Sequence, residues 1–265
     1  MASFACKWTE LSEDGPVLTV SLNRPDVKNA FNAELIRELT DLAAWIGTRA
    51  EVRLVFLRGN GTHFCAGGDL NWMRASLGLG EEENVADARA LSLMLRSLDG
   101  LAQPLVGLVH GAAIGGGVGL VSVCDLAVAE RATVFSLSEA RLGLIPAVIG
   151  PFVLAKIGSS HARSLVLSAA RFDAERAVRA GLVHEIADGA DGLAAARTRI
   201  AAEFAEVGPE AAAAAKRFLR EIAGRDAAFA DALAAKTLAA LRVRPEAQEG
   251  ITAFLERRKP SWRKE

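Results

Sequence analysis

Apolar and polar positions change period along this chain, and the changes divide it into elements. Val17-Leu18-Thr19-Val20-Ser21-Leu22 alternates apolar with polar after Asp14-Gly15, which predicts a hairpin turn feeding a half-exposed strand. Asn23-Arg24-Pro25-Asp26 ends it. From Asn32, a candidate N-cap with Glu34 in the first turn, Leu35, Leu39, Leu42 and Ile46 recur at helical spacing, predicting an amphipathic helix to about Arg49. Arg53 to Arg58 is a short, continuous apolar run between charges, as expected of a strand buried on both faces. Asp69 is placed to cap a helix over Leu70 to Ala75, Gly78 to Glu83 reads as a mobile polar loop, and Val85 to Leu98 is helical by period with Gly100 as its stop.

Three further short runs, Pro104 to Val109, Leu126 to Ala129 and Val134 to Leu137, predict strands. Asp173 opens a helix that Gly181 ends, and Val183 to Ala187 is a last strand. From Ala190 onward the chain is rich in Ala and other helix formers, punctuated by Gly208-Pro209, Gly224 and Pro245. The pattern is an α/β core, residues 1–195, carrying a helical C-terminal region, residues 196–265. No repeat of fixed period appears.

Two glycine-rich turns interrupt the regular elements. Gly111 to Gly119 contains three consecutive glycines and lies between an apolar strand-like run and a helix-compatible one. Phe64-Cys65-Ala66-Gly67-Gly68-Asp69-Leu70 is the second. Glycines in such turns serve either a tight packing crossover or a close approach of backbone N–H groups to an anion.

Composition narrows the chemistry. Net charge is -1, with 31 basic and 32 acidic residues, which leaves no global field for nucleic acid or an anionic membrane. Cys6, Cys65 and Cys124 are odd in number and lack metal-ligand spacing, which fits a reducing compartment and no metal site. The first ten residues show neither an apolar core nor an Arg-rich pattern, so a cytoplasmic protein is expected, and Asn60-Gly61-Thr62 is then a turn rather than a glycosylation site. No phosphate-binding Gly-x-x-x-x-Gly-Lys run, dinucleotide Gly-x-Gly-x-x-Gly or Gly-x-Ser-x-Gly elbow is present. His63, His110, His161 and His184 show no metal pair at helical spacing and read as structural or solvated. What remains is two glycine turns after buried strands and one isolated acid, Glu139. Two backbone donors and a carboxylate suit proton transfer at a carbon beside a carbonyl.

The chain resembles the crotonase, or enoyl-CoA hydratase/isomerase, superfamily from Val17 to about Pro260. The resemblance is carried by Asn23-Arg24-Pro25 with Asn29-Ala30-Phe31-Asn32, by Phe64 to Leu70, by Gly111 to Gly119 with Cys124-Asp125, and by Phe135 to Glu139 with Gly143-Leu144-Ile145-Pro146. It implies a spiral of ββα units with a helical trimerisation region, forming a homotrimer or a dimer of trimers. It also implies an acyl-CoA thioester substrate and no cofactor beyond the coenzyme A that the substrate carries. By the same resemblance the CoA part lies near Lys28, Ala30, Ala66, Gly68, Asp69 and Leu70. The Gly68 and Gly116 N–H groups form the oxyanion hole, and Glu139 is the acid-base residue.

One position departs from the pattern. Hydratases of this superfamily carry two glutamates, and the first falls here on Gly119. Asp69-Leu70-Asn71-Trp72-Met73 and Glu139 to Pro151 look most like bacterial methylglutaconyl-CoA hydratases, and a missing side chain at Gly119 is expected to leave room for a branched, carboxylated acyl group. Arg74 or Arg141 is then a candidate partner for the distal carboxylate. A 3,2-trans-enoyl-CoA isomerase is the alternative, since one glutamate suffices to move one proton between two carbons. A non-catalytic or RNA-binding relative is the reading from another class. Against RNA, the helix from Ala33 to Arg49 contains no lysine.

Overall fold

The computed structural model describes residues 4–263, so the ends of the two expected segments, 1–3 and 264–265, lie outside the described residues. Gly15, at φ 57°, supplies the left-handed turn between β1 (Thr9–Asp14) and β2 (Val17–Leu22), which pair antiparallel. Asn32 then caps α1 (Ala33–Gly47), its side chain accepting from the Leu35 N–H, and the helix buries Leu35, Ile36, Leu39, Leu42, Ala43 and Ile46. The chain continues through β3 (Leu54–Gly59), α2 (Leu70–Ser76), α3 (Glu81–Asp99), β4 (Leu105–Val109), β5 (Ala112–Ile114), α4 (Gly116–Ser122), β6 (Leu126–Glu130) and β7 (Val134–Ser136). After these come α5 (Gly150–Ser168), β8 (Arg171–Asp173), α6 (Ala174–Ala180), β9 (Glu185–Ala187) and the helices α7 (Gly189–Ala205), α8 (Pro209–Ile222), α9 (Ala227–Arg242) and α10 (Pro245–Leu255).

The strands form two sheets. The larger has the order β1-β2-β3-β4-β6-β9 and is parallel after its first hairpin. The smaller, β5-β7-β8, is extended by two loop segments through single parallel bridges, Cys65 to Ala113 and Phe31 to Gly68. After the β1–β2 hairpin, successive passes through β3, β4 and β6 each contribute one strand to the large sheet and one extended stretch to the small one. The layers so stacked are the expected spiral.

Three differences from the sequence-based expectation have physical causes. β2 is buried on both faces, Thr19 and Ser21 included, because it pairs with strands on both edges and is covered above and below. α3 begins at Glu81, inside the expected loop. Three glutamates in its first turn complement the positive end of the helix, and the Glu83 carboxylate accepts from the Gly80 N–H at 2.8 Å. The division at residue 195 falls within α7, whose Leu193, Ala196 and Ile200 pack against Leu54, Phe56 and Val106 of the large sheet.

Candidate active site

The site is assembled where the small sheet meets the N-terminal ends of two helices. The turn after β3 runs alongside β5, with the Cys65 N–H donating to Ala112 O at 3.1 Å and the Ile114 N–H donating back to Cys65 O at 3.0 Å. Gly67 follows at φ 87°, and a Cβ there would lie 2.8 Å from Ile114 O, so only glycine fits. Phe31 then pairs across this turn: its N–H donates to Gly67 O at 2.6 Å and its carbonyl accepts from the Asp69 N–H at 2.8 Å. In a parallel bridge of this kind the intervening residue, Gly68, directs its own N–H away from the partner strand.

The second turn is built the same way. The Gly115 N–H donates to Ser136 O at 2.8 Å, and Gly115 breaks the strand at φ 51°, ψ −115°, so that α4 starts at Gly116. The first-turn N–H of Gly116 has no intrahelical partner. Neither Gly68 nor Gly116 donates in the turn and loop hydrogen bonds of the described residues. A Cβ on Gly116 would lie 2.6 Å from the Phe31 ring, which holds the two turns against one another.

Glu139 opens the short 3-10 turn Glu139–Leu142 after β7, stopped by Gly143 in the left-handed region. Its Oε1 lies 3.0 Å from where a Cβ on Gly115 would stand, which sets the carboxylate one residue from the free Gly116 N–H. Its Oε2 is buried without a hydrogen-bond partner. Burial pushes the Glu139 carboxyl above the usual carboxylate range. A carboxyl group so raised holds a proton more readily than an ordinary glutamate and can both take and return one.

These groups face a cavity of about 440 Å³. Of the residues expected at the site, Ala66, Gly68, Leu70, Gly116 and Glu139 line it, whereas Lys28, Ala30 and Asp69 do not. Lys28 is exposed on a left-handed turn, and its carbonyl accepts from the Ala66 N–H at 3.0 Å; Ala30 is buried. Asp69 is committed structurally. Its Oδ1 caps α2 through the Asn71 N–H at 2.8 Å and its Oδ2 pairs with Arg24 Nη2 at 2.9 Å. Although burial alone would raise it, the hydrogen bonds from Asn71 and Arg24 hold the Asp69 carboxyl below its ordinary value.

Further residues line the cavity to which the sequence assigns no site role. Leu91 belongs to none of the motifs, whereas Phe31, Ser138, Leu144, Ile145, Val148 and Ile149 belong to them, and Trp72 joins them while its indole N–H donates to Asp87 at 3.1 Å. Among the described residues, Glu139 is the only ionisable side chain on the wall. Neither Arg74 nor Arg141 reaches it, and Arg141 Nε instead donates to Ala169 O at 3.0 Å. The space expected beside Gly119 is also absent: a Cβ there would lie 2.5 Å from Ile149 Cγ2 and 3.8 Å from Leu95 Cδ1. Ile149 fills it.

Two glycine N–H groups flanking an apolar cavity, with one buried carboxylate beside them, suit an enolate-like thioester. The sequence profile of the enoyl-CoA hydratase/isomerase family matches residues 12–265. The chain belongs to this family. The 2,3-dehydroadipyl-CoA hydratase of Escherichia coli K12 is 33% identical over 96% of this chain and 97% of its own length. The mevalonyl-coenzyme A hydratase sidH of Aspergillus fumigatus is 30% identical over 93% of this chain and 91% of its own. Among solved structures, an enoyl-CoA hydratase from Shewanella pealeana superposes with a TM-score of 0.91 at 36% identity, covering 97% of this chain and 96% of that one. As a hydratase-type family member the chain is an enzyme, and an acyl-CoA thioester is the substrate class that fits. Among the described residues no helix is long and apolar enough to cross a membrane.

Proposed function

We propose that this enzyme reversibly adds water across the 2,3 double bond of a branched, carboxylated enoyl-CoA, 3-methylglutaconyl-CoA of leucine breakdown, using Glu139 as its single acid-base group. The observation that carries the reading is the Glu139 carboxylate, buried, unpartnered at Oε2 and set beside the Gly115-Gly116 turn. The thioester oxygen is held by the Gly68 and Gly116 N–H groups. Glu139 takes a proton from water as its oxygen bonds to C3, the electron pair of the double bond moves toward the thioester, and the hole stabilises the charge that develops. The same proton then passes from Glu139 to C2. Each donor of such a hole is typically worth ~10²–10³ in rate.

The acyl group is supported by the strings Asp69 to Met73 and Glu139 to Pro151 and by the Escherichia coli relative, which is named a 2,3-dehydroadipyl-CoA hydratase. The branch packs on the apolar wall of Leu144, Ile145 and Val148, and the distal carboxylate extends to the cavity mouth, since among the described residues no cation lines the wall. CoA runs out past Ala66 and the exposed Leu70, toward Lys28.

The closure of Gly119 by Ile149 favours a second reading, a 3,2-trans-enoyl-CoA isomerase. It leaves no second carboxylate to hold water, and moving a proton from C2 to C4 needs only one base. Incubation with 3-methylglutaconyl-CoA, 3-methylcrotonyl-CoA and a straight-chain 3-enoyl-CoA, followed by mass spectrometry and NMR, separates them. Hydration fastest on the carboxylated substrate supports the first reading. A double-bond shift at constant mass on the 3-enoyl thioester, with no hydration, supports the second.

The same reading has α8 to α10 forming the assembly face of a homotrimer or dimer of trimers. α9 buries no residue, and Leu238, Val243, Phe254 and Leu255 stand exposed. The reading of a cytoplasmic enzyme is supported by three free cysteines.

A further inference from the structure

We propose that Gly119 and Ile149 are one steric pair that sets the depth of the acyl end of the cavity, and with it the length of acyl group the enzyme accepts. The inference rests on reading that cavity as the acyl site. Ile149 sits at the start of α5 and is only 3% exposed, yet it forms part of the cavity wall. Behind it lie Gly119 of α4 and Leu95 of α3, neither of which lines the cavity. Ile149 is therefore a partition one side chain thick between the substrate space and the core.

Glycine at 119 is what allows this partition to stand where it does. A Cβ at 119 would lie 2.5 Å from Ile149 Cγ2 and 3.1 Å from its Cβ, closer than carbon atoms approach without something shifting. The neighbour that yields is the Ile149 side chain, and with Leu95 fully buried behind it the open direction is the cavity. A larger residue at 119 thus shortens the cavity, and a smaller residue at 149 deepens it toward an α4 surface with no side chain of its own. Changing both residues together exchanges one filler for the other. The pair is accordingly predicted to be non-additive.

The test measures Kd for butanoyl-, hexanoyl- and octanoyl-CoA, which bind but do not react, beside hydration rates on the matching 2-enoyl-CoAs. The proteins are the wild type, Ile149→Ala, Ile149→Val, Gly119→Ala and the Gly119→Ala/Ile149→Ala double variant, each checked for fold by circular dichroism. Ile149→Ala is expected to move the preferred chain length up, gaining about fourfold in affinity for each further methylene buried. Ile149→Val moves it the same way by less, and serves if the alanine variant fails to fold. Gly119→Ala loses affinity for the longer chains, and the double variant recovers most of that loss.

A chain-length profile unchanged in both Ile149 variants, or single effects that simply add, would overturn the inference. Turnover by the wild type with no shift in the variants overturns it while leaving the hydratase reading intact. A shift in binding without turnover of these thioesters or of 3-methylglutaconyl-CoA supports it while removing that reading. Absence of acyl-CoA binding by the wild type overturns both.

Discussion

Replacing Asp69 with alanine tests how the Gly68 turn is held. The Asp69 carboxylate makes two contacts. It pairs with Arg24 at 2.9 Å, the two side chains being 6% and 10% exposed, and it caps α2 through the Asn71 N–H. Among the described residues the Arg24 guanidinium has one other acceptor, Ala30 O. Stranding a buried guanidinium by removing its partner typically costs about 3–5 kcal/mol, and losing an N-cap costs about 1 kcal/mol more. The expected loss is roughly 4–6 kcal/mol, against a total stability of about 5–15 kcal/mol for a typical native protein. At this chain length that lowers Tm by roughly 10–20 °C. Asp69→Asn keeps the cap and is expected to recover about 1 kcal/mol.

The assay is denaturant unfolding of Asp69→Ala, Arg24→Met and the double variant. Each single change leaves a buried charge without its partner and the double change leaves none, so the double variant is expected to lose less than the sum. Because Asp69 N–H and Gly67 O both clasp Phe31, kcat of Asp69→Ala should fall more than KM rises. An additive cycle, or a loss under about 1 kcal/mol for Asp69→Ala, would refute the assignment of this pair as the clamp on the Gly68 turn. The pH dependence has a definite sign. The folded carboxyl lies below its unfolded value, so this stabilisation is present above the unfolded pKa and is lost as pH falls through the folded one.

Three further outcomes follow from the site. Gly67→Ala forces a Cβ to within 2.8 Å of Ile114 O at φ 87°, and should abolish acyl-CoA turnover while leaving a folded but less stable protein in thermal melts. Glu139→Gln should lower kcat by ~10²–10⁴ and erase the acid limb of the pH–rate profile, whose apparent pKa in the wild type lies above that of an ordinary glutamate. Since the raised pKa means that ionised Glu139 destabilises the fold as pH rises through the folded value, the same variant should melt higher than wild type at neutral pH. Thiol titration of the native protein should modify Cys6 alone, because Cys65 and Cys124 are buried and burial pushes both thiols up to about 12.

Much of this organisation is legible in the sequence where the signal is local. Asn32, Asp69 and Asp173 each cap the helix expected of them, because the cap hydrogen bond closes within a few residues. The two glycine turns and Glu139 are legible because unusual backbone needs unusual residues. What the sequence does not display are pairings between distant segments. Phe31 bridging Gly68, the burial of Thr19 and Ser21 in β2, and Ile149 filling the space at Gly119 each depend on which element folds against which. The last reverses an inference. A glycine among larger residues suggests room, yet packing at crystal-like density filled it from a helix start thirty residues downstream.

The central claim, a single carboxyl group that both activates water and delivers the proton, is tested most directly by single-turnover mass spectrometry of 3-methylglutaconyl-CoA in ¹⁸O-labelled water, with wild type and Glu139→Gln at equal fold. Wild type is predicted to yield a product heavier by one labelled water, and Glu139→Gln to yield almost none in the same time. Labelled product at a comparable rate from Glu139→Gln would contradict the account, since another group would then be handling the water.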